Sequence, residues 1–334
     1  MPNTPAHDAL FKAAFGQPDL ARSELELVLP DEVRAHLDLA TLQVSPGSFV
    51  DEELRHAHTD LLYRVGLRSG GEALVYVLLE HQSTFDARMP LRLLRYMVRV
   101  WDRWERDHPA GKLPIVLPVV LHHDLGGWRS PPEFASVLDA SPELLAAVGP
   151  FQPLFRFVLD DLAPLSLEAL ASRKLHALAL LVELAFWASR SLARLQDAAP
   201  RMGAIVAELT RDARARALLT QLYVYLLRDA PPDVETEEVR AILRQIAGPK
   251  GQEDIVNAGD RLIEQGRAEG LAKGQADGLR AAIQAALSAR GLGLSELGKA
   301  RLAACSDVAV LTVWVTRSVT AATEADVFAG SESL

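Results

Sequence analysis

Very little in this chain of 334 residues advertises a chemistry. It has one cysteine, Cys305, which excludes an internal disulfide framework and fits a reducing compartment. Cys305 follows Leu302-Ala-Ala304 in an apolar helical stretch and reads as a small buried hydrophobe, not a nucleophile. There is no P-loop, no GxGxxG and no GxSxG, so nucleotide-hydrolase, dinucleotide and serine-hydrolase chemistry lack support. No apolar run is long enough to span a bilayer; the longest, 175–189, is interrupted by His176 and Glu183. The first residues, MPNTPAHDAL, lack the apolar centre of a signal peptide. A cytoplasmic protein with no membrane contact is expected. Basic charge is also short: 35 Lys and Arg against 44 Asp and Glu give a net −9. Any nucleic-acid contact must therefore come from a local patch.

What is present is ordinary globular material, 49% apolar and 24% charged, long enough for a large core and more than one domain. Residues 7–15 and 20–29 read as helices punctuated by Pro18 and Pro30. Residues 39–49 have room for a first strand. A hairpin is expected at 59–67 and 72–82, then a helix at 86–106, then a β-rich run at 113–122. The result is a mixed α/β core. Residues 131–165 look loop-like, and helices dominate afterwards, including 174–194 and 214–227. The division expected is 1–165, a helical region 166–250, a long glycine-interrupted helix 251–290, and a small helical unit 291–334.

The hairpin carries the most information. Arg68-Ser-Gly-Gly-Glu72 suits a tight turn, because glycine accepts positive φ. With the turn centred near Gly70, residues whose numbers sum to 140 face each other. Asp60 then stands opposite Glu80, and Gln82 shares their face because strand side chains alternate. Two carboxylates and an amide at the open end of a hairpin suit a hard divalent cation, and such a cation suits phosphodiester hydrolysis. The competing reading is that exposed strand ends commonly carry carboxylates.

The helix after the hairpin carries Arg88, Arg92, Arg95, Arg99, Arg103 and Arg106 on one face. At 100° per residue they fall within about 80° of arc. Leu91, Leu94, Met97, Val98 and Trp101 are expected to face the core. Solvated helix faces usually mix signs, and like charges at i,i+4 repel. Binding of a phosphate backbone is one reading of the stripe; a solvated face with internal ion pairs is the other. His122-His123-Asp124 invites a metal reading, but it ends a strand, and a core or surface role is expected for each histidine.

Taken in order, His7-Asp8-Ala-Leu-Phe-Lys12, Thr59-Asp60-Leu-Leu-Tyr-Arg64, Leu78-Leu-Glu-His-Gln-Ser83, Met89-Pro-Leu-Arg-Leu-Leu-Arg-Tyr-Met97 and Leu113-Pro-Ile-Val-Leu-Pro-Val-Val-Leu-His122 resemble the recombination-promoting nuclease (Rpn, putative transposase) family. The resemblance covers residues 5–130. It implies a PD-(D/E)xK-like core of order α-β-β-β-α-β, followed by a mostly helical C-terminal half. It implies Asp60 and Glu80 as metal carboxylates, with Gln82 where the wider superfamily often has lysine, and Glu24 as a further candidate ligand. The reading is an endonuclease using Mg2+ or Mn2+ on DNA with little sequence preference. The family usually shows Tyr-His-Gly after the last strand, and this chain has His122-His123-Asp124. Gly266, Gly270, Gly274 and Gly278 resemble a glycine-repeat helix common at the family's tail. From their spacing we expect a homo-oligomer through that helix. The alternatives are a non-catalytic DNA-binding or regulatory protein on a degenerate nuclease fold, and a DDE transposase with Asp124 as its third carboxylate.

Overall fold

A computed structural model describes residues 6–45, 61–69, 75–82, 84–209, 213–229, 236–251 and 255–329, with strand 75–82 described by its backbone. Contacts divide the chain into two compact units, 1–259 and 260–334.

In the first unit, α1 (Ala6–Phe15), α2 (Pro18–Val28) and the single turn α3 (Asp31–Arg34) precede the sheet. Pro18 opens α2 at its first turn, where a missing N–H costs nothing. The strands are β1 (Leu37–Val44), β2 (Leu61–Leu67), β3 (Val75–Gln82), β4 (Ile115–His122) and β5 (Val158–Asp161), and their spatial order is their chain order. β1, β2 and β3 pair antiparallel; β3, β4 and β5 pair parallel. A parallel step needs a crossover. Helix α4 (Met89–Asp107) makes the first, and a segment with α5 (Pro142–Val148) makes the second. Up to β4 the order is α-β-β-β-α-β, as expected. Then come α6 (Leu167–Ala171), α7 (Ala177–Ala188), α8 (Leu192–Leu209), α9 (Ala213–Arg228) and α10 (Thr236–Gly251).

Each sheet face has its own cover. Leu62 of β2 and Val116 and Val120 of β4 pack with Met89, Leu93, Tyr96, Met97 and Val100 of α4. On the other face Tyr63 is fully buried, and its hydroxyl donates to the Phe15 carbonyl of α1 at 2.5 Å. Every residue of α7 from Leu178 to Ala188 is buried. A helix apolar all round belongs in a core.

Four expectations change. β5 falls in a stretch expected to be loop-like; four residues ending in Asp160-Asp161 carry no strand pattern, and the open edge of β4 recruits them. The helix expected at 174–194 is two, broken at 189–191. There Ser189 is tied to the Tyr225 hydroxyl at 2.6 Å. Helix α4 is rotated from the expected setting: Leu93, Tyr96 and Val100 are buried, whereas Val98 is 42% exposed. Cys305 is half-buried and ends a helix as its C-cap.

The second unit holds α11 (Asn257–Ala289), α12 (Glu296–Ala304), α13 (Val308–Ser318) and α14 (Glu324–Phe328). Its core joins Ala276, Ile283 and Leu287 to Leu302, Leu311, Trp314, Val327 and Phe328. Thr323 and Asp326 form a capping box at the start of α14. Among the described residues, no helix is long and apolar enough to cross a membrane.

Candidate active site

The β2–β3 ladder pairs Leu61 with Leu79, Leu62 with Leu78 and Tyr63 with Val77, so facing residues have numbers that sum to 140. The expected register is the observed one. Asp60 lies outside the described residues. Across the parallel ladders, Glu80 sits in one cross-strand row with Val120 and Leu159, and Gln82 in the next like row with His122 and Asp161. Both rows alternate with the row of His81, Leu121 and Asp160. Val120 packs against α4, so the Glu80 and Gln82 rows belong to the α4 face of the sheet.

His122 ends β4 and is 0% exposed. Its Nδ1 lies 2.8 Å from Asp161 Oδ1. The other Asp161 oxygen accepts the Trp128 backbone N–H at 2.8 Å, and Oδ1 also accepts from Ala163 N at 3.2 Å. Burial works against the charge on Asp161, but these hydrogen bonds outweigh it and hold the carboxyl below its usual range. Gly127 adopts φ +65°, which glycine does without steric cost, and this turn delivers Trp128 N to the carboxylate. The indole of Trp128 stands edge-on to the His122 ring at 5.3 Å and to Phe85 at 5.1 Å. Phe85 belongs to the segment leaving β3, so that exit lies beside His122. The Nε2 of His122 is buried and has no hydrogen-bond partner among the described residues. His123 points the other way and stacks on Phe186 of α7 at 4.8 Å.

Glu24 is placed elsewhere. It is fully buried on α2, and a carboxylate oxygen from each of Glu24, Asp160 and Glu183 lies within 4.8 Å of the others. Arg173 serves this cluster: its guanidinium grips Asp160 at 2.6 and 3.0 Å, and its Nε lies 2.9 Å from Glu183. Three carboxylates against one guanidinium leave excess negative charge. Burial, then the neighbouring Glu183 and Asp160, raise the Glu24 pKa well above the ordinary value, and burial raises Glu183 to about 7. The Asp160 row is not the Glu80 row, so the structure does not bring Glu24 together with Glu80.

Of the arginines, Arg92 pairs with Asp86 at 3.2 Å and Arg103 with Asp107 at 3.1 Å. Arg88, Arg95, Arg99 and Arg106 form no ion pair among the described residues. Arg88 is the residue before the first turn of α4, at the end of the helix nearest the β3 exit.

Sequence reasoning missed the His122–Asp161 pair and the buried cluster. Nothing in spacing links residues 39 apart on strands whose second member was not foreseen. The signal available was indirect: a histidine directly after an apolar strand, and unpaired acids at 160 and 161.

An α/β unit with a buried histidine–carboxylate pair at the end of a central strand and arginines along a crossover helix defines a class of site rather than a single protein. The chain belongs to the family described as "Putative transposase, YhgA-like", whose profile matches residues 5–211, and with it to the recombination-promoting nuclease (Rpn) family. It is 42% identical over 125 residues to the recombination-promoting nuclease RpnD of Escherichia coli O157:H7, covering 37% of this chain and 46% of the relative. It is 40% identical over 122 residues to recombination-promoting nuclease RpnC of Escherichia coli K12, covering 36% and 40%. The chain thus spans less than half the length of these two relatives. It is 28% identical over 271 residues to the "Inactive recombination-promoting nuclease-like protein RpnE" of the same strain, covering 80% and 85%. No solved structure matches.

Proposed function

We propose that the chain is a metal-dependent DNA endonuclease on a PD-(D/E)xK-type core, cutting phosphodiester bonds with little sequence preference. The β2–β3 register carries the reading: Asp60 and Glu80 are the chain neighbours of its last described pair, Leu61 and Leu79. The donor chemistry fits a divalent cation. Carboxylates suit Mg2+ or Mn2+, and a buried ring nitrogen without a partner closes the adjacent row. Asp60 and Glu80 would hold the cation, while Glu24 stays with Arg173 in the buried cluster. Bound there, the cation would supply charge that polarises the scissile phosphate and acidifies a bound water. Gln82 orients that water or a phosphate oxygen through its amide and lends no charge of its own. Arg88, Arg95, Arg99 and Arg106, which form no ion pair among the described residues, grip the backbone together with Arg92 and Arg103. Such contacts carry no base information.

Asp60→Asn and Glu80→Gln each lower Mg2+- or Mn2+-dependent nicking of supercoiled plasmid by a factor of 100 or more, on the order of ~3 kcal/mol, with unchanged circular dichroism. Variants that nick at the parental rate would refute the site. The second reading is a non-catalytic DNA-binding protein on the same fold. The broad similarity to a relative named inactive favours it. Under that reading the parent binds plasmid but no cation concentration produces nicks.

A further inference from the structure

The buried histidine–carboxylate pair at the end of β4 has a geometry that the hairpin alone does not explain. We propose that His122 is a nitrogen ligand of the divalent cation in the Glu80 row, and that Asp161 is the residue that positions it. The proposal rests on the metal-site reading above and adds a ligand to it.

The His122 ring has little freedom. Asp161 holds Nδ1 at 2.8 Å, and Trp128 closes one side edge-on at 5.3 Å. Asp161 is itself fixed by the backbone N–H groups of Trp128 and Ala163. With Asp161 ionised, the proton of a neutral ring sits on Nδ1, and Nε2 presents its lone pair. Nε2 is buried and has no hydrogen-bond partner among the described residues. Leaving such an atom unpaired is costly, so an occupant is called for. A carboxylate that orients one nitrogen so that the other meets a metal is a recurrent arrangement in metalloproteins.

The sheet supplies the location. His122 is paired with Gln82, and Glu80 lies one strand over and two residues back. Neighbouring strands are about 4.8 Å apart, and diagonal neighbours stay within reach of long and aromatic side chains. Asp161 lies on the far side of His122 from β3. A ligand for a cation in the Glu80 row and the buttress of that ligand are thus one residue each on successive strands.

An imidazole alters metal preference. Oxygen ligands alone suit Mg2+, whereas nitrogen favours later first-row ions. The site is therefore expected to hold Mn2+ more tightly than Mg2+. Mn2+ titrated into the full-length chain, followed by pulsed electron paramagnetic resonance, reads the ligand directly. The parent should show nitrogen modulation from a bound imidazole. His122→Gln should lose it and bind Mn2+ at least tenfold more weakly. Asp161→Asn should keep the modulation and weaken binding by roughly 10–100-fold, and it serves as the second probe if His122→Gln folds poorly. Glu80→Gln should also weaken Mn2+ binding. Unchanged modulation and affinity in His122→Gln overturn the proposal and leave the carboxylate site standing, with a buried water as the occupant of Nε2. Parent protein that binds no Mn2+ overturns both. Loss of binding in His122→Gln with none in Glu80→Gln overturns the shared site.

Discussion

Glu183 folds best when protonated, and this sets a pH dependence. Its pKa is raised to about 7 from 4.5 by burial, and that of Glu24 beside it is also raised, by burial and by the neighbouring carboxylates. A carboxyl with a raised folded pKa contributes stability that is complete below its unfolded pKa and is lost as pH rises through the folded one. Thermal stability should therefore decline between about pH 5 and pH 8. Asp161 acts in the opposite sense, since its lowered pKa contributes stability that is lost only as pH falls into the acid range. Glu183→Gln removes the ionisation and keeps the shape. It should flatten the decline, worth several degrees at pH 8 at roughly 2–4 °C per kcal/mol for a unit of this size. Melting curves of parent and variant from pH 5 to 8 check this; parallel slopes would mean that the cluster titrates alike in both states. No sequence pattern announced this cluster. Glu24 is distant in the chain from Asp160, Arg173 and Glu183, and only the packing of α2, β5 and α7 brings them to one place.

At the scale of elements, the arginine face of α4 was legible because a 3.6-residue period is a local property. Which side of that helix meets the sheet was legible only roughly. Apolar residues nearly encircle it, and the sheet selects Leu93, Tyr96 and Val100 over Val98. The ion-pair pattern sharpens the DNA prediction. Arg92 and Arg103 are engaged with Asp86 and Asp107, so Arg95, Arg99 and Arg106, the arginines of the helix body that form no ion pair among the described residues, should carry most of the backbone contact. Changing those three to Gln should weaken binding about equally for all DNA sequences. Each lost phosphate contact removes about 0.9 from the slope of log affinity against log salt. Binding measured at several salt concentrations decides between contact and mere solvation, since a solvated face leaves the slope unchanged.

At the scale of the whole molecule, α11 is where the expected association would be made. A Cβ added at Gly266, Gly270, Gly274 or Gly278 would meet nothing within 4 Å, and Leu271 beside them is 64% exposed. Within one chain these glycines only weaken the helix, by about 1 kcal/mol each against alanine. Close approach of a second copy along that face would give them a reason, by small-residue packing. We therefore propose a homo-oligomer through α11, which would also bring two metal sites into one particle. Replacing all four by Ala separates the readings. The substitutions stabilise an isolated helix in either case, but light scattering at micromolar concentration should show a smaller particle only if the glycine face is an interface. An unchanged mass leaves α11 as a helix of weak propensity.

The sequence alone determined the order α-β-β-β-α-β, the hairpin register, the arginine face and the family. Each rests on short-range regularities: alternation in strands, a helical period, a glycine turn, and contiguous motifs such as Leu78-Leu-Glu-His-Gln-Ser83. Only the tertiary structure decided that β5 exists, that Glu24 joins Arg173 and Glu183, and that Asp161 buttresses His122. Those facts depend on an open strand edge, on excess buried charge and on partners distant in the chain. Local pattern cannot encode them, because each residue's role is set by what the rest of the fold puts beside it.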